Sequence, residues 1–226
     1  IKLKVPLKKL EELLKKNNYS KEIIDNLLYK NNQNQIINKI CFVPEIYTID
    51  NFLTDEECNH FIEICKNNLK RAKVTGDNKN EISKSRTNSN NWLRHNLSKI
   101  TMDVANRISK LVKIPLINAE SFQMIHYNKS QEYKNHYDGW EHDKSEKTYR
   151  CIKYGGQRIY TCLCYLNDVL EGGSTKFTKI DEEVQPKKGR ILVFKNVYDN
   201  TNKRHPLTEH AGMPVIKGEK YAFNLW

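Results

Sequence analysis

The chain has 226 residues, of which 38% are hydrophobic and 29% charged, and its formal net charge is +11. This length suffices for one domain with a packed core and a small appendage. No stretch approaches the ~20 consecutive apolar residues of a membrane-spanning helix, so we expect no membrane partner. The positive charge favours acidic peptides, nucleic acid or anionic surfaces, although lysines scattered over a solvated surface would give the same balance.

The six cysteines form no Cys-x-x-Cys pair, which argues against zinc-ribbon and thioredoxin-like sites. Cys58 and Cys65 lie on one predicted helix and are typical of small apolar core residues. Cys162 and Cys164 share one face of a predicted strand. The lack of evident pairing favours the cytoplasm over the lumen of the secretory pathway.

Residues 1–40 predict an N-terminal helical module. Apolar side chains recur there at helical spacing among lysines and glutamates, as Leu7, Leu10, Leu13 and Leu14, and again as Ile23, Ile24, Leu27 and Leu28. We expect these helices to support the domain formed by residues 41–226. A basic amphipathic pair could instead touch an anionic surface.

The pattern changes after residue 40. Residues 41–50 predict a strand, and Thr54 to Glu57 form a capping box that begins a helix. A polar segment over 71–91 predicts a long mobile loop, and a second helix is expected over 98–113. A further polar loop is expected over 141–155.

Short aromatic or β-branched segments punctuated by glycines then predict strands. They lie at 121–127, 157–167, 174–178, 190–194 and 221–226. Helices followed by many short strands predict an α+β chain whose core is an antiparallel sandwich or barrel.

Three side chains indicate a metal site. His136 and Asp138 stand two residues apart, so on a strand they point to the same face. His210, from a distant segment, would complete a set of two imidazoles and one carboxylate, which favours iron(II) and leaves coordination positions open. Lys220 adds a cation, and the combination suggests an oxygenase with an acidic cosubstrate. Alternatively, Asp138 could cap a turn and His136 could be a surface histidine.

An ordered series of motifs surrounds these residues. It consists of Tyr127, Tyr133, His136 and Asp138 in Tyr-x5-Tyr-x2-His-x-Asp, Arg158 to Thr161, Tyr165 to Val169, Glu171 to Phe177, Pro186 to Arg190, Phe194, His210 to Val215 and Gly218 to Tyr221. Over residues 42–226 this series closely resembles the prolyl 4-hydroxylases, iron(II)- and 2-oxoglutarate-dependent oxygenases. The collagen-type branch with small plant, algal and viral members is the nearest match.

The resemblance implies a double-stranded β-helix, or jelly-roll, core. It implies that His136, Asp138 and His210 bind iron(II), with ascorbate as the reductant. Lys220 would pair with the distal carboxylate of 2-oxoglutarate, and Tyr127 would add a hydrogen bond to it. His205 is the alternative third ligand, but only His210 keeps the family's spacing to the lysine.

Three further residues match positions that contact the peptide substrate in such enzymes. They are Tyr133, Arg158 and Arg86, the last on a segment that serves as a mobile lid. Arg158 could instead pair with a surface acid, and the tyrosines could be barrel filling. Lys195 and Asn224 stand where relatives carry a tryptophan and a small hydroxyl residue, which affects the substrate rather than the iron.

The implied function is hydroxylation of peptidyl proline to 4-hydroxyproline, with release of succinate and carbon dioxide. The partner would be a proline-containing peptide or protein. Nucleic acid is not expected, because demethylases of the superfamily generally use arginine where Lys220 stands. Hydroxylation of another residue such as lysine, or a non-catalytic peptide-binding barrel, are the alternatives. The oligomeric state is left open.

Overall fold

The computed structural model describes Lys16 and residues 36–76, 79–141, 143, 145–153 and 155–226. From residue 36 onward, the described helices are α1 (Asp55–Cys65), α2 (Lys99–Val112) and α3 (Glu146–Ile152). The described strands are β1 (Ile37–Cys41), β2 (Ile46–Ile49), β3 (Lys70–Arg71), β4 (Val74–Thr75), β5 (Asn80–Glu81), β6 (Ser89–Leu93), β7 (Phe122–Tyr127), β8 (Tyr133–His136), β9 (Tyr160–Tyr165), β10 (Glu171–Gly172), β11 (Thr175–Phe177), β12 (Glu182–Val184), β13 (Ile191–Lys195), β14 (His210–Gly212), β15 (Val215–Lys217) and β16 (Lys220–Leu225).

The two long helices begin where local signals place them. Thr54 caps α1: its hydroxyl accepts from the Glu57 amide, and the Glu57 carboxylate accepts from the Thr54 amide. The predicted capping box is therefore confirmed. Ser98 caps α2 in the same way through the Thr101 amide. Val104 and Ile108 then lie on the buried face of α2.

Eight strands form the main antiparallel sheet, in the order β1-β2-β13-β9-β16-β7-β6-β3. Its central strands are buried on both faces, and side chains alternate between them. On β7, Phe122 and Met124 pack in the cluster that contains α1 and α2, whereas Ile125 and Tyr127 belong to the cluster on the opposite face. Each central strand thus supplies one row to the helical layer and one row to the interior.

A second antiparallel sheet, in the order β12-β11-β14-β8, faces that interior. Phe177 of β11 meets Phe194 of β13 edge to face, with ring centroids 5.1 Å apart, which joins the two sheets. Two facing antiparallel sheets with helices on the outer side form an α+β jelly roll. The predicted fold class is therefore confirmed.

Three predictions of local structure were wrong. The range 41–50, predicted as one strand, holds the last residue of β1, a turn over residues 42–45 that includes Val43 and Pro44, and β2. Residues 71–91 contain paired strands rather than one long loop, with β3 joined to β6 and β4 joined to β5. The polar stretch 141–155 contains α3, whose first turn is capped by Ser145.

The predicted helical module of residues 1–40 lies outside the described residues, apart from Lys16 and residues 36–40. Residues 37–40 belong to β1, so the main sheet extends into the predicted module. In the described part of the chain no helix is long and apolar enough to cross a bilayer. All six cysteines are free thiols, and Cys58, Cys65, Cys162 and Cys164 are buried.

Candidate metal centre

Two histidines from distant segments meet in the second sheet. His136 at the end of β8 stands directly opposite His210 at the start of β14, and their ring centroids are 4.3 Å apart. Asp138 follows β8, with its two carboxylate oxygens 3.8 Å from His136 Nε2 and 3.7 Å from His210 Nε2. Ligand atoms of all three residues lie within 4.8 Å of one another, so one metal ion could contact them together.

Hydrogen bonds orient each of these groups. His136 Nδ1 lies 2.9 Å from the Lys134 carbonyl, and His210 Nδ1 lies 2.9 Å from the Thr208 carbonyl. A carbonyl can only accept, so each ring carries its proton on Nδ1 and keeps the Nε2 lone pair for a metal. This arrangement is typical of metal-binding histidines.

The Asp138 carboxylate is held from behind by two buried side chains that the sequence did not identify. The Thr161 hydroxyl donates to Asp138 Oδ2 over 2.8 Å, and Asn196 Nδ2 donates to that hydroxyl over 2.8 Å. Thr161 lies on β9, on the face that points toward the interior. Its place in the motif Arg158 to Thr161 is the signal that could have indicated it.

The charge state of the cluster suits a metal. Burial, reinforced by the neighbouring His210, lowers the pKa of His136 to about 3. Burial alone would raise the pKa of Asp138, but His210 and His136 hold that pKa at about 2. The His136 imidazole is therefore neutral and the Asp138 carboxylate is ionised near neutral pH, and these are the forms that coordinate metals.

Lys220 lies in the interior, where only 2% of its surface is exposed. Its ammonium donates to the Gly173 carbonyl over 2.6 Å and lies 5.1 Å and 5.3 Å from the ring centroids of Tyr127 and Tyr165. It has no carboxylate partner among the residues that the structure describes. Burial lowers the pKa of Lys220 from its ordinary value of 10.5 to about 7.

Tyr127 stands directly opposite Lys220 in the ladder between β7 and β16. Burial raises the pKa of the Tyr127 phenol, so the phenol is neutral and cannot act as the counter-ion of the lysine. Its oxygen lies close to Gly212 on β14, where an added Cβ would come within 3.1 Å. Gly212 thus leaves room for the Tyr127 hydroxyl beside His136, Asp138 and His210, the three side chains that we call the metal cluster.

The predicted peptide contacts lie around the same cavity. Tyr133 stacks on His136, with ring centroids 3.6 Å apart, and the Arg86 guanidinium lies 4.6 Å from the Tyr133 ring. Arg86 is buried, and it donates to Asn88, to the Lys73 carbonyl and to Gln123. These three hydrogen bonds hold the side chain in the structure, and the role of its segment as a mobile lid stays a prediction. Its contact with substrate stays a prediction.

Arg158 pairs with an acid, which was the alternative to its predicted role. Two of its nitrogens donate to the Glu120 carboxylate over 2.5 Å and 2.9 Å. Its guanidinium also lies 3.7 Å from the Trp226 ring and lines the cavity. The ion pair fixes the arginine at the cavity wall, and its contact with substrate also stays a prediction.

The cavity itself has a volume of about 690 Å³. The metal cluster, Lys220, Tyr127, Tyr133, Arg86 and Arg158 all line it, as does Asn224. The alternative ligand His205 lies outside the cluster; its ring nitrogen accepts from the Leu207 amide. Lys195 does not line the cavity and pairs with Asp199 instead.

Comparison with known proteins agrees with this geometry. The sequence model of the 2OG-Fe(II) oxygenase superfamily matches residues 122–226. A putative prolyl 4-hydroxylase of Acanthamoeba polyphaga mimivirus is 33% identical over 181 residues, or 80% of this chain and 72% of that protein. Probable prolyl 4-hydroxylase 7 of Arabidopsis thaliana is 31% identical over 211 residues, or 84% of this chain and 64% of that protein. The chain thus spans just under two thirds of this plant relative.

Solved structures show the same fold. The viral collagen prolyl hydroxylase of Paramecium bursaria Chlorella virus-1, in its 2OG complex, superposes with a TM-score of 0.60 and 29% identity. The match covers 80% of this chain and 94% of that chain. A Trichoplax adhaerens prolyl hydroxylase in complex with a hypoxia inducible factor peptide fragment has a TM-score of 0.56 at 16% identity, which shows a shared fold.

Proposed function

The chain belongs to the prolyl 4-hydroxylases of the 2OG-Fe(II) oxygenase superfamily, and we propose that it hydroxylates peptidyl proline to 4-hydroxyproline. One observation carries the proposal: a buried ammonium that has no carboxylate partner among the described residues shares one cavity with a buried group of two imidazoles and a carboxylate. A bare buried cation is costly, so the site calls for an anionic ligand beside the metal.

The donor set fits iron(II). His136 Nε2, His210 Nε2 and an Asp138 oxygen would occupy one face of the ion and leave the other positions for ligands. Iron bound there supplies oxygen activation that is coupled to decarboxylation of 2-oxoglutarate to succinate and carbon dioxide. Ascorbate serves as the reductant in this proposal.

The protein's own groups would bind and orient the cosubstrate. Lys220 would hold its distal carboxylate through a charge-assisted hydrogen bond, which is stronger in this desolvated interior than at a surface. Tyr127, directly opposite in the ladder, would donate its hydroxyl to the same ligand. The negative charge of the bound ligand would also favour the protonated form of Lys220.

The outer part of the cavity would hold the peptide. Tyr133 would cover one ligand imidazole, and the Arg86 guanidinium would hold the Tyr133 ring in place. Arg158 and Trp226 form a rigid wall at the cavity, since the guanidinium is held by both the Glu120 carboxylate and the indole. These groups would exclude water and place one ring carbon of proline near the metal.

The proposal is tested with synthetic proline-rich peptides, iron(II), 2-oxoglutarate and ascorbate. We expect a mass increase of one oxygen on proline and an equal amount of succinate, both abolished by His136→Ala. His60→Gln is the matched control, because His60 bonds to Ser98 outside the cavity. Oxidation of a proline-free lysine peptide instead would refute the proline assignment.

A further inference from the structure

The cavity wall is more basic than the chain as a whole. Eight lysines and arginines line it against three aspartates and glutamates, whereas the whole chain has 38 against 27. The local excess therefore exceeds what the general lysine content of the protein would produce. A concave surface of one charge concentrates ligands of the opposite charge.

Four of the basic side chains are already engaged in the structure or in the proposed cosubstrate site. Arg158 pairs with Glu120, and Arg204 pairs with Glu141. Arg86 is buried and uses its donors on Asn88, the Lys73 carbonyl and Gln123. Lys220 lies deep in the interior. These four side chains therefore supply no available positive charge at the exposed part of the cavity wall.

Of the four remaining basic residues, Lys147 lies on α3, and the other three lie on β3 and the segment that leads to β4, at the exposed part of the cavity wall that we take as its entrance. Lys70, Arg71 and Lys73 are exposed and line the cavity. Arg71 donates to the main-chain carbonyls of Asn88 and Ser83, and it forms no ion pair with a carboxylate in the part of the chain that the structure describes. Within the described residues neither Lys70 nor Lys73 lies in an ion pair with a carboxylate. We refer to Lys70, Arg71 and Lys73 as the basic rim.

The acids that line the cavity do not offset the rim. Asp143, which precedes α3, contributes one negative charge, because the Ser145 amide, the Ser145 hydroxyl and the Thr148 hydroxyl that donate to its Oδ1 are neutral, against three positive charges on the rim. Glu141 is paired with Arg204, and Asp138 belongs to the metal cluster. The basic rim therefore presents positive charge to whatever enters the cavity. Lys147 of α3 lines the same cavity.

We propose that the peptide substrate carries acidic residues beside the target proline, and that the basic rim binds them. The proposal rests on the proposed function for the proline itself, and it names the class of peptide: acidic and proline-containing. Nothing in the geometry of the metal cluster requires this preference, so it is a property of the entrance. The carboxylates would form exposed ion pairs, which are individually weak and sensitive to salt.

The test uses three labelled peptides that share one central Ala-Pro-Ala segment and differ only in flanking residues, which are Glu, Gln or Lys. Binding is measured by fluorescence anisotropy without oxygen, on protein loaded with iron(II) and 2-oxoglutarate; KM and kcat are measured in air. Two or three exposed ion pairs correspond to about a 3- to 30-fold difference in affinity between the Glu and Lys peptides. We expect that difference in Kd and KM, with kcat nearly unchanged, and a smaller difference at high salt.

The variant Lys70→Glu/Lys73→Glu should remove or reverse the preference. Lys110→Glu/Lys129→Glu is the matched control, because it changes net charge equally at exposed positions that do not line the cavity. Equal affinities for the three peptides, or the same loss in the control, would overturn the proposal. So would an oligonucleotide that binds the rim more tightly than the Glu peptide. Selective binding without any proline hydroxylation would leave the rim in place and refute the proposed function instead.

Discussion

Replacing Lys220 by methionine should make the unliganded protein more stable while destroying cosubstrate binding. The side chain lies in the interior with 2% of its surface exposed, and its only hydrogen bond among the described residues is to the Gly173 carbonyl. Methionine has a stem of similar length and no charge, so it fills the same space. A functional group that costs stability in the absence of its ligand is typical of binding sites.

The magnitude follows from the pKa of Lys220, which burial lowers from 10.5 to about 7. A depression of that size corresponds to about 5 kcal/mol of lost folding free energy when the lysine is protonated in both states. The cost is complete below about pH 7, declines as pH rises toward 10.5, and vanishes above that value. Leaving the Gly173 carbonyl without its donor costs about 1–3 kcal/mol, so a net gain of about 2–4 kcal/mol is expected at pH 7.

Thermal unfolding in the presence and absence of 2-oxoglutarate measures both effects. For a chain of this size the expected gain raises Tm by about 5–10 °C. Wild-type protein should gain about 2.7 kcal/mol from 2-oxoglutarate at one hundred times its Kd, and the variant should gain almost nothing. Lys217→Met, at an exposed position of β15, should change neither quantity. A variant that is less stable than wild type, or that is stabilised equally by 2-oxoglutarate, would contradict the reasoning.

Three further outcomes are expected. Thr161→Val, which removes the hydroxyl that holds Asp138, should weaken binding of a divalent metal about 10- to 100-fold by calorimetry, whereas Thr161→Ser should not; equal affinities would exclude the positioning role. The Kd for 2-oxoglutarate should be flat below pH 7 and rise about tenfold per unit above it, because the ligand pairs with protonated Lys220; a flat profile to pH 9 would contradict this. Gly212→Ala should place a methyl group against the Tyr127 hydroxyl and raise the Kd for 2-oxoglutarate, while circular dichroism shows that the protein stays folded. An unchanged Kd would show that Tyr127 does not contact 2-oxoglutarate.

Local signals predicted much of this architecture. The capping box at Thr54 is readable because its donors and acceptors lie within one turn of helix. The alternation along β7 and β16 follows from the side-chain period of a strand, so the strand segments near 121–127 and 221–226 were predicted within a residue or two. Helix α3 was missed because it is short and polar, although Ser145 and Glu146 form a recognisable helix start.

Non-local pairing explains what the sequence could not show. His136 and His210 come together because β8 and β14 pair in a particular register, which no spacing within either segment specifies. The partner of Arg158 is Glu120, and Arg86 is buried by residues of two other segments. Asn196 belongs to no motif, and Thr161 belongs to one only as its last residue. The hydrogen bonds from Thr161 to Asp138 and from Asn196 to Thr161 exist only in the folded chain.

Hydroxylation under isotopically heavy dioxygen tests the central claim most directly. The account predicts that the heavy atom appears on the proline ring of the peptide, with one succinate released for each hydroxyl formed, and that both signals vanish in Asp138→Ala. Unlabelled oxygen on proline, or labelled product from the Asp138→Ala protein, would contradict the account.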